Sequence, residues 1–226
     1  MEAPVAAARE APARERYALV VCDVVPDLLQ ALPEAERQSL LENLRELVGA
    51  ARQAGWLVAF SGLRFASGYA GLPHRHRPFG SLARLNSRQG DSAVHWLMEG
   101  YEGSEIEPSL APETHDVMAW RQRLRPGGEL LEPLRQRGIS KVAVAGLKAG
   151  QSVLSVVQAL ADEGLLVYVP RECVADDDAG RRAAVLEHLL PQFGDVLGFE
   201  EFKRSIAEEM MMDAFVETRS MQPPAG

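Results

Sequence analysis

Lys141-Val-Ala-Val-Ala-Gly-Leu-Lys-Ala-Gly-Gln-Ser-Val-Leu154 decides the fold. Its first five residues form a short apolar run, rich in valine and alanine and without polar alternation. Such a run suits a strand buried on both faces. Residues 146–150 carry two glycines and read as a tight turn, and 151–163 read as a helix. A buried strand that passes through a tight turn straight into a helix is the repeating unit of a parallel sheet. The backbone N–H groups at such a helix start are unpaired and favour negative charge, so an oxyanion or carboxylate would be stabilised there.

The same alternation extends in both directions. Upstream, Tyr17-Ala-Leu-Val-Val-Cys22 is a continuous apolar run closed by Asp23. Pro33 and Glu34 then open a helix to about Ala54, with Leu40, Leu41, Leu44, Leu47, Val48 and Ala51 at helical spacing and Gly55 as its stop. Further strands are predicted at 56–60, 116–120, 165–169 and 195–198, and further helices at 129–137 and 178–190. Residues 62–115 are rich in Gly, Pro, Arg and His and predict loops with short helices over one end of the sheet. The fold class is therefore α/β, three-layer α-β-α with a mostly parallel central sheet and Rossmann-like topology. One domain over 17–215 fits a chain of 226 residues, with a disordered arm at 1–16 and a flexible tail at 216–226.

Composition excludes several classes of function. The formal net charge is -8, and nucleic acid needs a basic footprint. No apolar run approaches the length of a membrane span, and the arm lacks the apolar centre of a signal peptide. The two cysteines, Cys22 and Cys173, make no disulfide framework, so a reducing, cytoplasmic setting is expected. His74, His76, His95 and His115 form no ligand pattern, and neither metal nor cofactor is expected. Met210 to Met212 with Phe215 read as a helix covering the core.

In a parallel sheet, ligands bind beyond the carboxyl ends of the strands. Asp23, the segment after the third strand and the turn at 146–152 all fall there. Asp23 suits an acid or base, or else a plain helix or turn cap. Ser152 lies in the first turn of its helix, where serine is also a common start residue. Arg121 and Arg123 would pair with Asp23 or bind an anion, or stand solvated at the surface. Cys22 should be buried and inert. Cys173 falls on the active end and reads as a packing residue.

Three motifs in order resemble the isochorismatase-like hydrolases. Ala18-Leu-Val-Val-Cys-Asp-Val-Val-Pro-Asp-Leu28 resembles the family's first-strand motif, a catalytic Asp usually followed by Met-Gln-Asn-Asp-Phe. Asp23 takes the catalytic place and Asp27 that of the second acid, while Val25-Pro26 replaces the Gln-Asn pair. Asp116-Val-Met-Ala-Trp-Arg-Gln-Arg-Leu124 resembles the third-strand segment, and the family's catalytic lysine falls on Arg121. Val144-Ala-Gly-Leu-Lys-Ala-Gly-Gln-Ser-Val-Leu154 resembles Gly-Val-Ala-Thr-Asp-Val-Cys-Val-Leu, and the nucleophilic cysteine falls on Ser152. The likeness runs from about Tyr17 to Phe202.

The resemblance implies a hydrolase acting on, or binding, a small anionic metabolite, with Asp23, Arg121 and Ser152 as the catalytic set. Lys148, Gln151 and Arg123 are the implied substrate contacts, with Arg64, Arg75 and Arg77 completing a basic lining. Serine and arginine change the chemistry, since a hydroxyl needs a matched base and a guanidinium does not release its proton. The chain is closer to the family's non-cysteine branch, and the alternative is a pseudoenzyme that kept the pocket and lost turnover. The family also implies a homo-oligomer, with Trp96-Leu-Met98 as a candidate contact. It further implies a non-proline cis peptide at Leu147–Lys148, and a trans bond there would favour binding without turnover.

Overall fold

A computed structural model describes residues 15–89 and 95–220. Six strands build one sheet: β1 (Tyr17–Cys22), β2 (Leu57–Leu63), β3 (Val117–Arg121), β4 (Lys141–Gly146), β5 (Leu166–Pro170) and β6 (Asp195–Leu197). Their order is β3-β2-β1-β4-β5-β6, and every pairing is parallel. The sheet is thus wholly parallel, where the sequence implied mostly so. The chain works outward from β1 to β3, then returns to place β4 beside β1. That reversal opens a crevice between the carboxyl ends of β1 and β4, the place where ligands bind in open α/β sheets.

Helices cover both faces. They are α1 (Pro26–Leu29), α2 (Glu34–Gln53), α3 (Gly80–Gln89), α4 (Gly128–Gln136), α5 (Leu154–Asp162), α6 (Ala179–Ala184) and α7 (Phe199–Ser220). The period of two in β1 divides the core. Tyr17, Leu19 and Val21 join Leu40, Leu44 and Val48 of α2 and Phe202 of α7. Ala18, Val20 and Cys22 join Leu130 of α4 with Val156 and Leu160 of α5. Each leucine buried in this way contributes about 1.5–3 kcal/mol.

The structure departs from the sequence reading in particular places. β2, β3 and β5 start one residue later than predicted and β2 ends three residues later, while β4 and β6 keep their predicted starts and end one residue off. The helix at 178–190 is broken into α6, a π turn at Val185–Leu189 and a 3₁₀ turn at Leu190–Gln192. Pro191 lacks an N–H and its ring would strike the carbonyl four residues back, so a regular helix cannot pass. Arg16 is no part of a disordered arm: its carbonyl accepts the N–H groups of Ser140 and Lys141 at 2.9 and 3.1 Å. The rest of the expected arm up to residue 14, and residues 221–226 of the tail, lie outside the described residues.

α7 runs through Ser220, past the boundary expected at 215. Glu209 pins it to the sheet, accepting from Lys141 Nζ at 2.7 Å and Tyr168 Oη at 3.1 Å. Met210 packs against the core and Met211 is exposed, while the side chains of Met212 and Phe215 lie outside the described residues. Of the segment proposed as an oligomer contact, Trp96 is half-buried and the two residues after it are interior. Leu97 and Met98 are buried, and Met98 bridges to Phe65. Among the described residues no helix is long and apolar enough to cross a membrane.

Gly146 closes β4 at φ +122°, and a Cβ there would overlap the backbone of Cys22. The neighbouring Leu147 N–H donates to the Cys22 carbonyl at 2.8 Å, which holds the two strand ends together. We expect Gly146→Ala to lower unfolding free energy by about 3 kcal/mol or more, from combined strain and overlap. The midpoint of urea unfolding followed by circular dichroism measures this.

Candidate active site

β1 delivers Asp23 to the crevice, and the chain turns there with Asp23 at φ 54°. A side chain in this left-handed region costs about 1–3 kcal/mol unless the surroundings impose it. Here they do so: the Asp23 N–H donates to the Ser61 carbonyl at 2.9 Å. Asp23 caps no helix. α1 starts at Pro26, with Val25 as its cap residue and no side-chain capping bond.

Arg121 ends β3 and Ser152 lies in the π turn Ala149–Val153 that precedes α5. The structure brings both to Asp23 across long sequence separations. Leu63 N–H donates to Asp23 Oδ1 at 2.6 Å and Arg121 Nη2 donates to Oδ2 at 3.0 Å. The Ser152 hydroxyl also donates to Oδ2. Nε and Nη1 of Arg121 are used as well. Nε bonds Ser61 Oγ at 3.1 Å, and Nη1 bonds the carbonyls of Arg123 and Leu124 at 3.0 and 3.2 Å. Relative exposure is 0% for Asp23, 3% for Arg121 and 0% for Ser152, so the cluster is sealed.

The turn before Ser152 holds no cis peptide, and Leu147–Lys148 is trans. The chain reverses through Gly146 and through Lys148, which sits at φ 60° and ψ 61°, so the change of direction is made by backbone torsions. Its N–H groups point inward to partners of the protein itself. Ala149 donates to the Ala175 carbonyl at 3.2 Å, Gly150 to Asp176 Oδ2 at 3.1 Å and Gln151 to the Lys148 carbonyl at 3.0 Å. Arg181 pairs with Asp176 at 2.5 Å and packs over Gly150. Ser61, Leu63 and Asp176 therefore belong to the site, although the sequence reading missed them. Ser61 stood out only as the lone polar residue of the β2 run, and Asp176 was hidden in an Asp-Asp-Asp loop.

Beside the cluster is a cavity of about 210 Å³, walled chiefly by Leu63, Phe79, Trp96, Lys148 and Gln151. Lys148 and Gln151 thus border this cavity, but Asp23, Arg121 and Ser152 do not line it. Nor does Arg123, which is exposed and contributes its carbonyl to Arg121. The expected basic lining is not there. Arg64 lies 3.4 Å over the Trp120 ring and pairs with Glu105, and Arg75 and Arg77 are exposed away from the wall. Lys148 is the cation at the cavity, and it pairs with Asp177 at 2.9 Å. His76 stacks on Phe79, and among the described residues no group of acids, histidines and cysteines has the arrangement of a metal site.

A family model for the isochorismatase domain matches residues 17–201. The chain belongs to the isochorismatase family. Among solved structures, it is similar to a cysteine hydrolase from Pseudomonas syringae pv. phaseolicola, with 18% identity, TM-score 0.69, and 92% of this chain and 99% of that one covered. It is also similar to an N-carbamoylsarcosine amidase from Thermoplasma acidophilum, with 20% identity, TM-score 0.60, and 82% and 98% covered. An isochorismatase family protein from Burkholderia thailandensis shows 19% identity, TM-score 0.63, and 82% and 92% covered. At these identities the likeness shows the fold. No curated protein matches the chain.

Two measurements follow from the sealed cluster. Arg121→Ala leaves the buried Asp23 carboxylate without its cation, and we expect a loss of about 3–5 kcal/mol in urea unfolding. The thiols should be inert. Burial pushes the Cys22 thiol up to about 12, with Asp23 adding to the rise and Arg121 opposing it. Burial likewise raises Cys173, helped by Glu172 and Glu46. Iodoacetamide at neutral pH should label neither in the folded protein and both in urea.

Proposed function

We propose that this family member binds a small metabolite in the cavity beside Lys148 and Gln151 without turning it over. The enclosure of Asp23, Arg121 and Ser152 carries this reading, because no atom of the three lines the cavity. A general base or nucleophile must come within hydrogen-bond reach of the reacting group. Here both Asp23 oxygens are engaged by the protein itself. Arginine keeps its proton, so no proton passes through residue 121. The turn, which in an acyl-transfer site would offer N–H groups to an oxyanion, has spent those of Ala149, Gly150 and Gln151 internally.

The favoured ligand is small and mainly apolar with one anionic group. Leu63, Phe79 and Trp96 supply apolar walls, Gln151 offers hydrogen bonds, and Lys148 is the cation. An arriving carboxylate would compete with Asp177 for that lysine. The family also suggests a homo-oligomer, which light scattering checks.

A second reading rests on the hydroxyl of Ser152, which donates to Asp23 Oδ2 as a serine nucleophile donates to its base. Turnover separates the two. We expect no hydrolysis of isochorismate or of a panel of small amides above the buffer rate. Benzoate should raise the melting temperature more than benzamide, with Ser152→Ala unchanged in this response and Leu82→Trp, which fills the cavity, abolishing it. Hydrolysis that disappears in Asp23→Asn would replace this reading with the serine hydrolase.

A further inference from the structure

Trp96 borders a second cavity, and it is the one residue common to the two linings. The second cavity measures about 570 Å³, within the range of small-molecule sites. Aromatic rings supply much of its wall. Besides Trp96 there is Tyr101, with His95 stacked on it at 4.0 Å between centroids and 10° between planes. Its carboxylates are Asp27 and Glu102, and among the described residues no lysine or arginine lines it.

Asp27 is half-buried at the floor, and its surroundings fix it there. Oδ2 accepts the Leu97 N–H at 2.6 Å, and the Asp27 carbonyl accepts Trp96 Nε1 at 3.2 Å. Oδ1 has neither a hydrogen bond nor an ion pair among the described residues. Gly103 lies so close to this carboxylate that a Cβ would overlap it, so bare backbone stands where a side chain would cover the acid. The charge acts on its neighbours. The Tyr69 hydroxyl is pushed up to about 12, by burial first and by Asp27 second.

A partly desolvated carboxylate favours a nearby cation, and the faces of aromatic rings attract one. We propose that this second cavity binds a small organic monocation, a primary ammonium carried on a flat apolar body. Asp27 and Glu102 provide the counter-charge, and Trp96 and Tyr101 hold the body. The site shares only Trp96 with the cavity beside Lys148, and the proposal does not rest on the ligand proposed there.

Isothermal titration of the full chain at low salt with benzylammonium tests this, with benzyl alcohol as the uncharged control. Benzylammonium should bind and benzyl alcohol should bind at least about tenfold more weakly, as expected when a charge-assisted bond is lost. Glu102→Gln and Asp27→Asn should each weaken benzylammonium by about three- to tenfold. Both variants should keep the wild-type circular dichroism; Glu102 is exposed, so Glu102→Gln stands alone if Asp27→Asn unfolds. Leu82→Trp, which fills the other cavity, should leave benzylammonium binding unchanged. Equal binding of the alcohol, no heat at millimolar amine, an unchanged affinity in Glu102→Gln, or loss of binding in Leu82→Trp would each overturn the proposal. A lysine tetrapeptide binding more tightly than benzylammonium would overturn the assignment to a small molecule.

Discussion

The buried pair between Arg121 and Asp23 sets the conditions for the whole carboxyl end of the sheet. Taking two such charges out of water costs several kcal/mol per ion, and only full hydrogen bonding makes it tolerable. The protein supplies most of those bonds. Arg121 spends its bonds on Asp23, on Ser61 and on the carbonyls of Arg123 and Leu124, while Asp23 takes the N–H of Leu63 and the hydroxyl of Ser152. The partners come from the ends of β1, β2 and β3 and from the turn before α5. One ion pair thereby joins four segments that the chain order keeps far apart.

What holds these segments together also occupies their polar groups. The Asp23 carboxylate accepts from three neighbours of the protein itself. The same holds for the turn before Ser152, where Asp176 takes the Gly150 N–H and Arg181 takes Asp176. An internal anion therefore stands at a backbone position that would otherwise attract an external one. Space for a ligand remains next door, against side chains of Lys148 and Gln151 that face the cavity. The walls of the cavity are mostly different residues from the network beneath it.

Much of the fold was legible because its strongest signals are local. The apolar run before Asp23 and the helical spacing from Leu40 to Ala51 require no knowledge of partners. The convergence of Asp23, Arg121 and Ser152 was legible too, since each follows a strand of a parallel sheet. What failed were statements that depend on lateral partners. Arg64 looked free to line a pocket, but Glu105 and the Trp120 ring claim it. Trp96-Leu-Met98 looked like a surface contact, but Leu97 and Met98 are buried, with Met98 paired to Phe65. The missed α1 had a local signal that went unused: Pro26 at its first position is preorganised for a helix start.

Arginine at 121 explains how the network can be closed at all. A lysine there would bring a single ammonium with three donors and a strong hold on its water. A guanidinium brings five donors in a planar fork and is more weakly hydrated. The fork is what reaches Ser61 on β2, Asp23 after β1 and two carbonyls beyond β3 from one buried position. Serine at 152 fits the same logic, because a hydroxyl is a stronger donor than a thiol and completes the carboxylate's shell. Both residues therefore add hydrogen bonds to one buried cluster around Asp23.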